Sequence, residues 1–342
     1  MSPDTHPPEL GASALSGACL AAFGAALLAA LLLPRLARAT GWLDWPRGPE
    51  ASRKLQRRPV PAVGGAIVLA GVLAGWAGLE VSGSPPALGR ELLSLAKGVL
   101  PDGGEELWAL VGLLAAFAVG LVDDLLPGGL HPGAKLAGQA GAGLALGWPF
   151  FAAASGGQAT EAFGPALAAL AFALAAVVAT NAVNTFDNAD GTAGMLVALA
   201  ALASDPIVAA ALVPFLAQNL RRRGDGEVGA YLGDSGSHLL GLWILITPAA
   251  WPVLVLPLAD LVRLAVLRQA SGSRPWRADR RHLAHRLLRR GIPRLWVPVL
   301  LAALALPTVL LGFRGTPWTL GGFALALALG DRPAGSGAAP GR

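Results

Sequence analysis

The chain has 342 residues, 54% of them hydrophobic and 14% charged, with a mean hydropathy of +0.57. Soluble globular chains carry about 25% charged residues, so this deficit excludes a disordered protein and argues against a soluble enzyme. The net charge of +5, from 26 basic and 21 acidic residues, then reads as cytoplasmic loops of a membrane protein and not as a nucleic-acid surface.

The composition predicts an all-α, polytopic integral membrane protein, with residues 1–12 as an N-terminal tail. Asp4 and Glu9 precede the first apolar run, where a signal peptide would carry basic residues. Apolar segments of about the 20 residues a span needs fall at 13–34, 61–80, 107–126, 133–153, 163–183, 230–249, 251–268 and 293–312. Residues 190–219 accommodate two short spans broken at Ser204-Asp205-Pro206, and 316–330 is a short last one. The total is about 10–11 transmembrane helices in one domain, 13–330, followed by a Gly/Pro/Ala-rich disordered tail at 331–342. The single cysteine, Cys19, excludes an intrachain disulfide and a zinc site built on several thiolates.

Arginine placement sets the orientation. Residues 35–58 carry seven basic side chains, and 263–294 carry ten arginines against one carboxylate, Asp279. By the positive-inside rule both segments face the cytoplasm, so the N-terminus lies outside. This sidedness puts four polar clusters on the cytoplasmic face: Asp123-Asp124, the Asn/Asp run 181–190, Gly233-Asp234 and the pair His282/His285. Unrelated polar residues would fall on both faces, so the clustering predicts a single cytoplasmic site.

Asp123 and Asp124 follow the apolar run 113–122, and neighbouring helical side chains diverge by about 100°. They therefore fit a helix end facing cations, or an ordinary pair of interfacial loop aspartates. Lys135 opens the next span and suits either phosphate contact or a snorkelling anchor. Asn181, Asn184 and Asp187 recur at i, i+3 and i+6 on one helical strip, with Asp190-Gly191 as the turn out. Helix–helix hydrogen bonding would explain the asparagines, while the two carboxylates call for a cation or a ligand. Asp234 lies between glycines ahead of a span, where a helix N-terminus attracts phosphate. Tyr231, the only tyrosine, is either an aromatic-belt anchor or a stacking platform for a base. His282 and His285 share a helical face among arginines, which suits an anion site better than zinc. Carboxylates, an asparagine and phosphate-friendly loops together favour Mg²⁺, with Mn²⁺ as a substitute, and a diphosphate substrate.

The segments RKLQRRPVPAVGG (53–65), GLVDDLLPGGLHPGAKLAGQ (120–139), NAVNTFDNADG (181–191), FLAQN (215–219), YLGDSGSHLLG (231–241) and ADRRHLAHRLL (278–288) resemble, in order, the motifs of one family. It is the polyprenyl-phosphate N-acetylhexosamine-1-phosphate transferases of glycosyltransferase family 4, the group of MraY and the WecA/TagO-like enzymes, with the latter branch nearer. The resemblance implies transfer of N-acetylhexosamine 1-phosphate, first GlcNAc-1-phosphate, from a UDP-sugar to polyprenyl phosphate, releasing UMP. It implies a multi-pass protein of the inner (cytoplasmic) membrane with its site on the cytoplasmic face, beginning cell-wall or surface-polysaccharide synthesis. A homodimer is among the assemblies it allows. By the same resemblance Asp234 would ligate Mg²⁺, with Asn184 as a second ligand, and Asp123 and Asp124 would sit at the attacking phosphate and metal beside Lys135. Asp187, Asn219 and Tyr231 would contact the uridine. Lys54, Lys135, His282 and His285 would bind the diphosphate or sugar, and Asp190 completes the substrate-binding set. Three departures stand out: Ala284 inside the histidine motif, Gln56 where a histidine often stands, and an arginine-rich insertion at Arg221–Glu227.

Three other classes read less well. An ion-coupled transporter would place acids at mid-membrane on broken helices. A CDP-alcohol phosphotransferase needs an arginine that the run 190–194 lacks. A UbiA-like prenyltransferase needs two aspartate-rich motifs on separate helices.

Overall fold

The computed structural model describes residues 12–45, 56–83, 105–155, 164–224, 226–273 and 281–331. Among these residues the chain forms twelve α-helices and no strand. They are α1 (Ala12–Thr40), α2 (Gly64–Val81), α3 (Glu105–Leu125), α4 (Pro132–Ser155), α5 (Pro165–Phe186), α6 (Thr192–Ser204), α7 (Pro206–Leu220), α8 (Gly233–Ile246), α9 (Val255–Ala270), α10 (Leu283–Arg289), α11 (Trp296–Leu311) and α12 (Thr316–Asp331). Short 3-10 turns precede α9 and α12. The expected tails lie outside the described residues except at Ala12 and Asp331.

Among the described residues six helical stretches are long and apolar enough to cross a membrane: Ala12–Thr40, Gly64–Val81, Glu106–Leu125, Leu167–Phe186, Pro248–Ala270 and Trp296–Leu329. The protein is therefore an all-α, multi-pass membrane protein. The other expected spans are helical too, but α6, α7 and α8 have 13, 15 and 14 residues. Each is shorter than the roughly 20 residues a membrane-crossing helix needs.

Along α1 the packing inverts the usual distribution of side-chain size. Ala18, Ala22, Ala26 and Ala30 recur every fourth residue along α1 and are at most 2% exposed, while Leu20, Leu28, Leu32 and Leu36 are 52% to 73% exposed. Small residues let helix backbones approach, and large apolar ones meet lipid chains at no cost. A Cβ at Gly71 of α2 would lie 2.8 Å from the Ala22 carbonyl oxygen, so α1 and α2 nearly touch. Gln218 of α7 closes the group by donating to the Ala30 carbonyl at 3.1 Å.

A second group, α3, α4, α5 and α8, positions the site. Gly138 of α4 faces Val119 of α3, with 2.6 Å left for a Cβ, and Gly241 of α8 meets the Thr180 backbone of α5 at the same separation. Gly120 of α3 packs directly on the backbone of Asp234 and Ser235. The 190–219 stretch breaks where the sequence indicates. Asp205 accepts from the Ile207 and Val208 amides at 3.2 and 3.3 Å, and Pro206 occupies the first helical position, whose amide needs no partner. Trp243 of α8 donates to the other Asp205 oxygen at 3.2 Å, which fixes the break against its neighbour.

Candidate functional site

Asp123 and Asp124 occupy the last turn of α3 and point apart, as consecutive helical positions must. Asp123 faces Lys135 in the first turn of α4, with 3.4 Å between Oδ2 and Nζ. The same ammonium contacts Asp234 Oδ2 at the start of α8, so one cation joins two carboxylates from two helices. All three side chains retain 17% to 22% exposure, which leaves the cluster open to a ligand. The loop between α3 and α4 folds back through Gly128 and Gly129, both at positive φ, and Leu130 donates its amide to Asp123 Oδ1 at 2.9 Å.

Asp124 turns the other way. Its two oxygens accept the backbone amides of Asp234 and Ser235 at 2.8 and 3.0 Å. The α8 N-terminus favours an anion, and two amides of its first turn are taken by this carboxylate. The approach needs Gly233, which has φ +74° and would place a Cβ 2.5 Å from Asp124 Oδ2.

Beneath the charged cluster runs a polar link between helices. Asn181 of α5 donates to Gln139 Oε1 at 2.6 Å, and the Gln139 amide lies 2.9 Å from His238 Nε2 of α8. The asparagine strip therefore divides: Asn181 serves helix packing, while half-buried Asn184 and Asp187 sit farther toward the helix end. Burial, with the negative charges of Asp234, Asp190 and Asp124 nearby, pushes the Asp187 carboxyl up to about 8. Burial also raises Asp190, against the pull of Arg222 and Arg294.

The loop 187–191 is pinned from the insertion side. Arg222 pairs with Asp190 at 2.6 Å. Asn219, 3% exposed, accepts from the Gly191 amide at 2.5 Å and donates to the Ala230 carbonyl at 2.8 Å. Its side chain is thereby engaged with backbone on both sides. The Tyr231 hydroxyl donates to Gln56 Oε1 at 2.9 Å, and Gln56 donates onward to Asp44 Oδ2 at 2.7 Å. Glu227 accepts the Arg57 and Arg58 amides at 2.7 and 3.2 Å. Gly64 and Gly65 donate to the Tyr231 and Leu232 carbonyls at 2.8 and 2.9 Å, with no room for a Cβ at either glycine. The segments 56–65 and 226–236 thus form one platform.

His282 and His285 are both buried, with ring centroids 6.0 Å apart. His282 Nδ1 lies 3.1 Å from the Asn188 amide nitrogen, which sets this histidine against the 187–191 loop. On its other side stands Asp260 of α9, 1% exposed and paired with Arg263 at 2.7 Å.

The structure thus brings Asp123, Asp124, Lys135 and Asp234 into direct contact. Asp187, Asp190, Asn219 and Tyr231 surround the adjoining loop, and His282 and His285 abut it through Asn188. Asn184 lies half-buried at the same helix end, and Lys54 lies outside the described residues. Sequence reasoning passed over Gln139 and His238, although they lie four residues after Lys135 and Asp234 and so share their helical faces. Glu227 and Gln56 carried no such signal, because their partners are distant in the chain.

Among the described residues no three His, Cys, Asp or Glu side chains converge as a metal cage. What converges is Asp123 and Asp234 on one cation. Such a pair suits an ion that completes its shell with phosphate oxygens and water, as Mg²⁺ does. It does not suit a closed zinc site.

Residues 107–250 match the model of the family described as glycosyl transferase family 4. The match spans Asp123, Asp124, Lys135, Asp187, Asn219, Tyr231 and Asp234, and it bears out over that segment the resemblance read from the motifs. The chain is 32% identical over 117 residues to an undecaprenyl-phosphate alpha-N-acetylglucosaminyl 1-phosphate transferase of Escherichia coli K12, covering 29% of this chain and 31% of the relative. It is 30% identical over 96 residues to the Haemophilus influenzae protein of that name and 29% identical over 97 residues to the Pasteurella multocida one. Each of these covers 24% of this chain and 27% of the relative. The chain thus matches between a quarter and a third of the length of these curated relatives.

Proposed function

We propose that this chain, with its glycosyl transferase family 4 segment at 107–250, transfers N-acetylhexosamine 1-phosphate from a UDP-sugar to undecaprenyl or another polyprenyl phosphate, releasing UMP. GlcNAc-1-phosphate is the group most directly supported, because the relatives' names specify N-acetylglucosaminyl 1-phosphate. The observation that carries the reading is Lys135 held between Asp123 and Asp234, at the membrane-edge ends of three helices. A lipid phosphate attacking the sugar-linked phosphorus brings two anions together. A new P–O bond forms as the bond to UMP breaks, and positive charge must be ready at both sides.

The residues divide this work. Lys135 neutralises the carboxylates while the site is empty of phosphate and presents a compact cation to an incoming diphosphate. Asp123 and Asp234 would hold Mg²⁺ with Asn184 near, and the ion would neutralise the phosphate oxygens during displacement. Asp124 acts through structure, since its carboxylate fixes the α8 N-terminus and so the direction of Asp234. No base is required on the acceptor: a phosphate monoester has a second pKa of about 6 and is mostly dianionic at neutral pH. Tyr231, braced by Gln56, offers a ring for the uracil, and Asp187 in its neutral form offers both a donor and an acceptor. His282 and His285 supply donors for the diphosphate or sugar. Arginine placement supports a cytoplasmic site in the inner membrane, with the N-terminus outside.

The test is UMP release by purified protein given UDP-GlcNAc, undecaprenyl phosphate and Mg²⁺ in detergent. Release is expected, together with its loss in Asp234→Asn and on chelation of the metal. No release with any UDP-N-acetylhexosamine would overturn the reading.

A further inference from the structure

The motif at 278–288 supplies two histidines, yet the side chain that governs one of them lies outside it. Asp260 sits in α9 and is 1% exposed. One of its oxygens, Oδ1, accepts Arg263 twice, from Nε at 3.1 Å and from Nη2 at 2.7 Å. The other, Oδ2, is buried with no hydrogen-bond partner among the described residues, and His282 Nδ1 stands 3.5 Å from it. Arg263 also donates to the Arg281 carbonyl at 2.5 Å, so the same guanidinium that anchors Asp260 holds the backbone next to His282.

Two neighbours compete for His282 Nδ1, the Asn188 amide at 3.1 Å and Asp260 Oδ2 at 3.5 Å. The Asn188 amide nitrogen has two hydrogens and three acceptors in reach: the Thr185 carbonyl at 2.9 Å, the Phe186 carbonyl at 3.2 Å and His282 Nδ1 at 3.1 Å. Two hydrogens cannot serve all three, and of the three acceptors the imidazole alone can turn donor, toward the Asp260 oxygen on its other side. A buried carboxylate oxygen without a donor is costly, and a hydrogen on Nδ1 satisfies it through a charge-assisted bond. The hydrogen bond made by one ring nitrogen fixes the state of the other.

We propose that Asp260 is a positioning residue that holds a proton on His282 Nδ1 and so dedicates Nε2, on the opposite edge of the ring, to the ligand. When Nε2 is also protonated, the ring donates to an anion at Nε2 while the Asp260 carboxylate balances its charge. The importance of this pair for turnover rests on the transferase reading above. The state of the imidazole does not.

Nitrogen-15 spectra of full-length protein in nanodiscs, labelled at histidine, test the assignment without any substrate. The His282 signals are identified by their absence in His282→Gln. The neutral ring is expected to carry its proton on Nδ1 in the wild type and to move to the Nε2 form in Asp260→Ala. A wild-type ring with bare Nδ1 would overturn the proposal, and that measurement needs no variant of Asp260. In the UMP-release assay, Asp260→Asn is expected to lower kcat/KM about tenfold, and the double variant with His282→Gln to be no slower than His282→Gln alone. Additive losses would show that Asp260 acts independently of His282 and contradict the positioning role.

Discussion

Lys135 separates two carboxylates that would otherwise repel each other across the start of α8. Lys135→Met should reduce kcat by about 100-fold or more, the scale seen when one preorganised electrostatic donor is removed. Steady-state kinetics would check this, and near wild-type kcat would remove the lysine from the chemistry. Asp187 supplies a pH signature. Its carboxyl is raised from 3.8 to about 8 by burial and neighbouring negative charge, so it binds its proton more tightly folded than unfolded. Its contribution to stability is complete below about pH 3.8 and is lost as pH rises through about 8. The Tm of metal-free protein should therefore decline across that window, and Asp187→Asn should flatten the decline; an unchanged slope would contradict the assignment. At this scale the sequence was half legible. The acids and Lys135 announce themselves as rare charges in an apolar chain. Gln56 reads only as a departure until the structure shows it holding the Tyr231 hydroxyl. Asp260, inside the apolar run 251–268, carries no pattern that points to His282 until their contact is seen.

Between residues and fold, the α8 N-terminus is the element on which the site depends. Asp124 binds two amides of its first turn through a gap that only glycine at 233 allows. Gly233→Ala meets both a positive φ and a Cβ 2.5 Å from a carboxylate oxygen. It should cost about 1–3 kcal/mol and misdirect Asp234, so activity should fall by more than the loss of stability accounts for. Parallel melting and turnover measurements separate the two, and equal losses would deny Asp124 its role in aiming Asp234. Asn219 makes a different prediction, because its side chain joins the Gly191 amide to the Ala230 carbonyl. Asn219→Ala should destabilise by about 1–3 kcal/mol through those unpaired groups. A raised KM for the nucleotide sugar with unchanged Tm would instead mark Asn219 as a direct uridine contact. The break at Asp205-Pro206 was legible because capping and proline rules are local. The joining of 56–65 to 226–236 was not, because long-range pairing leaves no periodicity in the sequence.

At the scale of the whole molecule, charge depletion marks a membrane protein and arginine placement orders its two faces. That order predicts that the 221–227 loop and the end of α2 lie on opposite sides of the membrane. With Cys19 replaced by alanine, cysteines at the exposed positions Gly224 and Ser82 should react with an impermeant thiol reagent from opposite sides. Reaction of both from one side would contradict that order. The four helices that carry the site converge through glycines whose sequence spacing is irregular, which is why their convergence had to be seen in three dimensions. The proposed reaction is attack at the sugar-linked phosphorus with UMP as leaving group. The direct test uses UDP-GlcNAc labelled at either phosphate, undecaprenyl phosphate and Mg²⁺. The predicted result is label from the sugar-linked phosphate in the lipid product and label from the uridine-linked phosphate in UMP. Both labels leaving together as UDP would mean attack at the sugar carbon, and would contradict the assignment of this site to phosphoryl transfer.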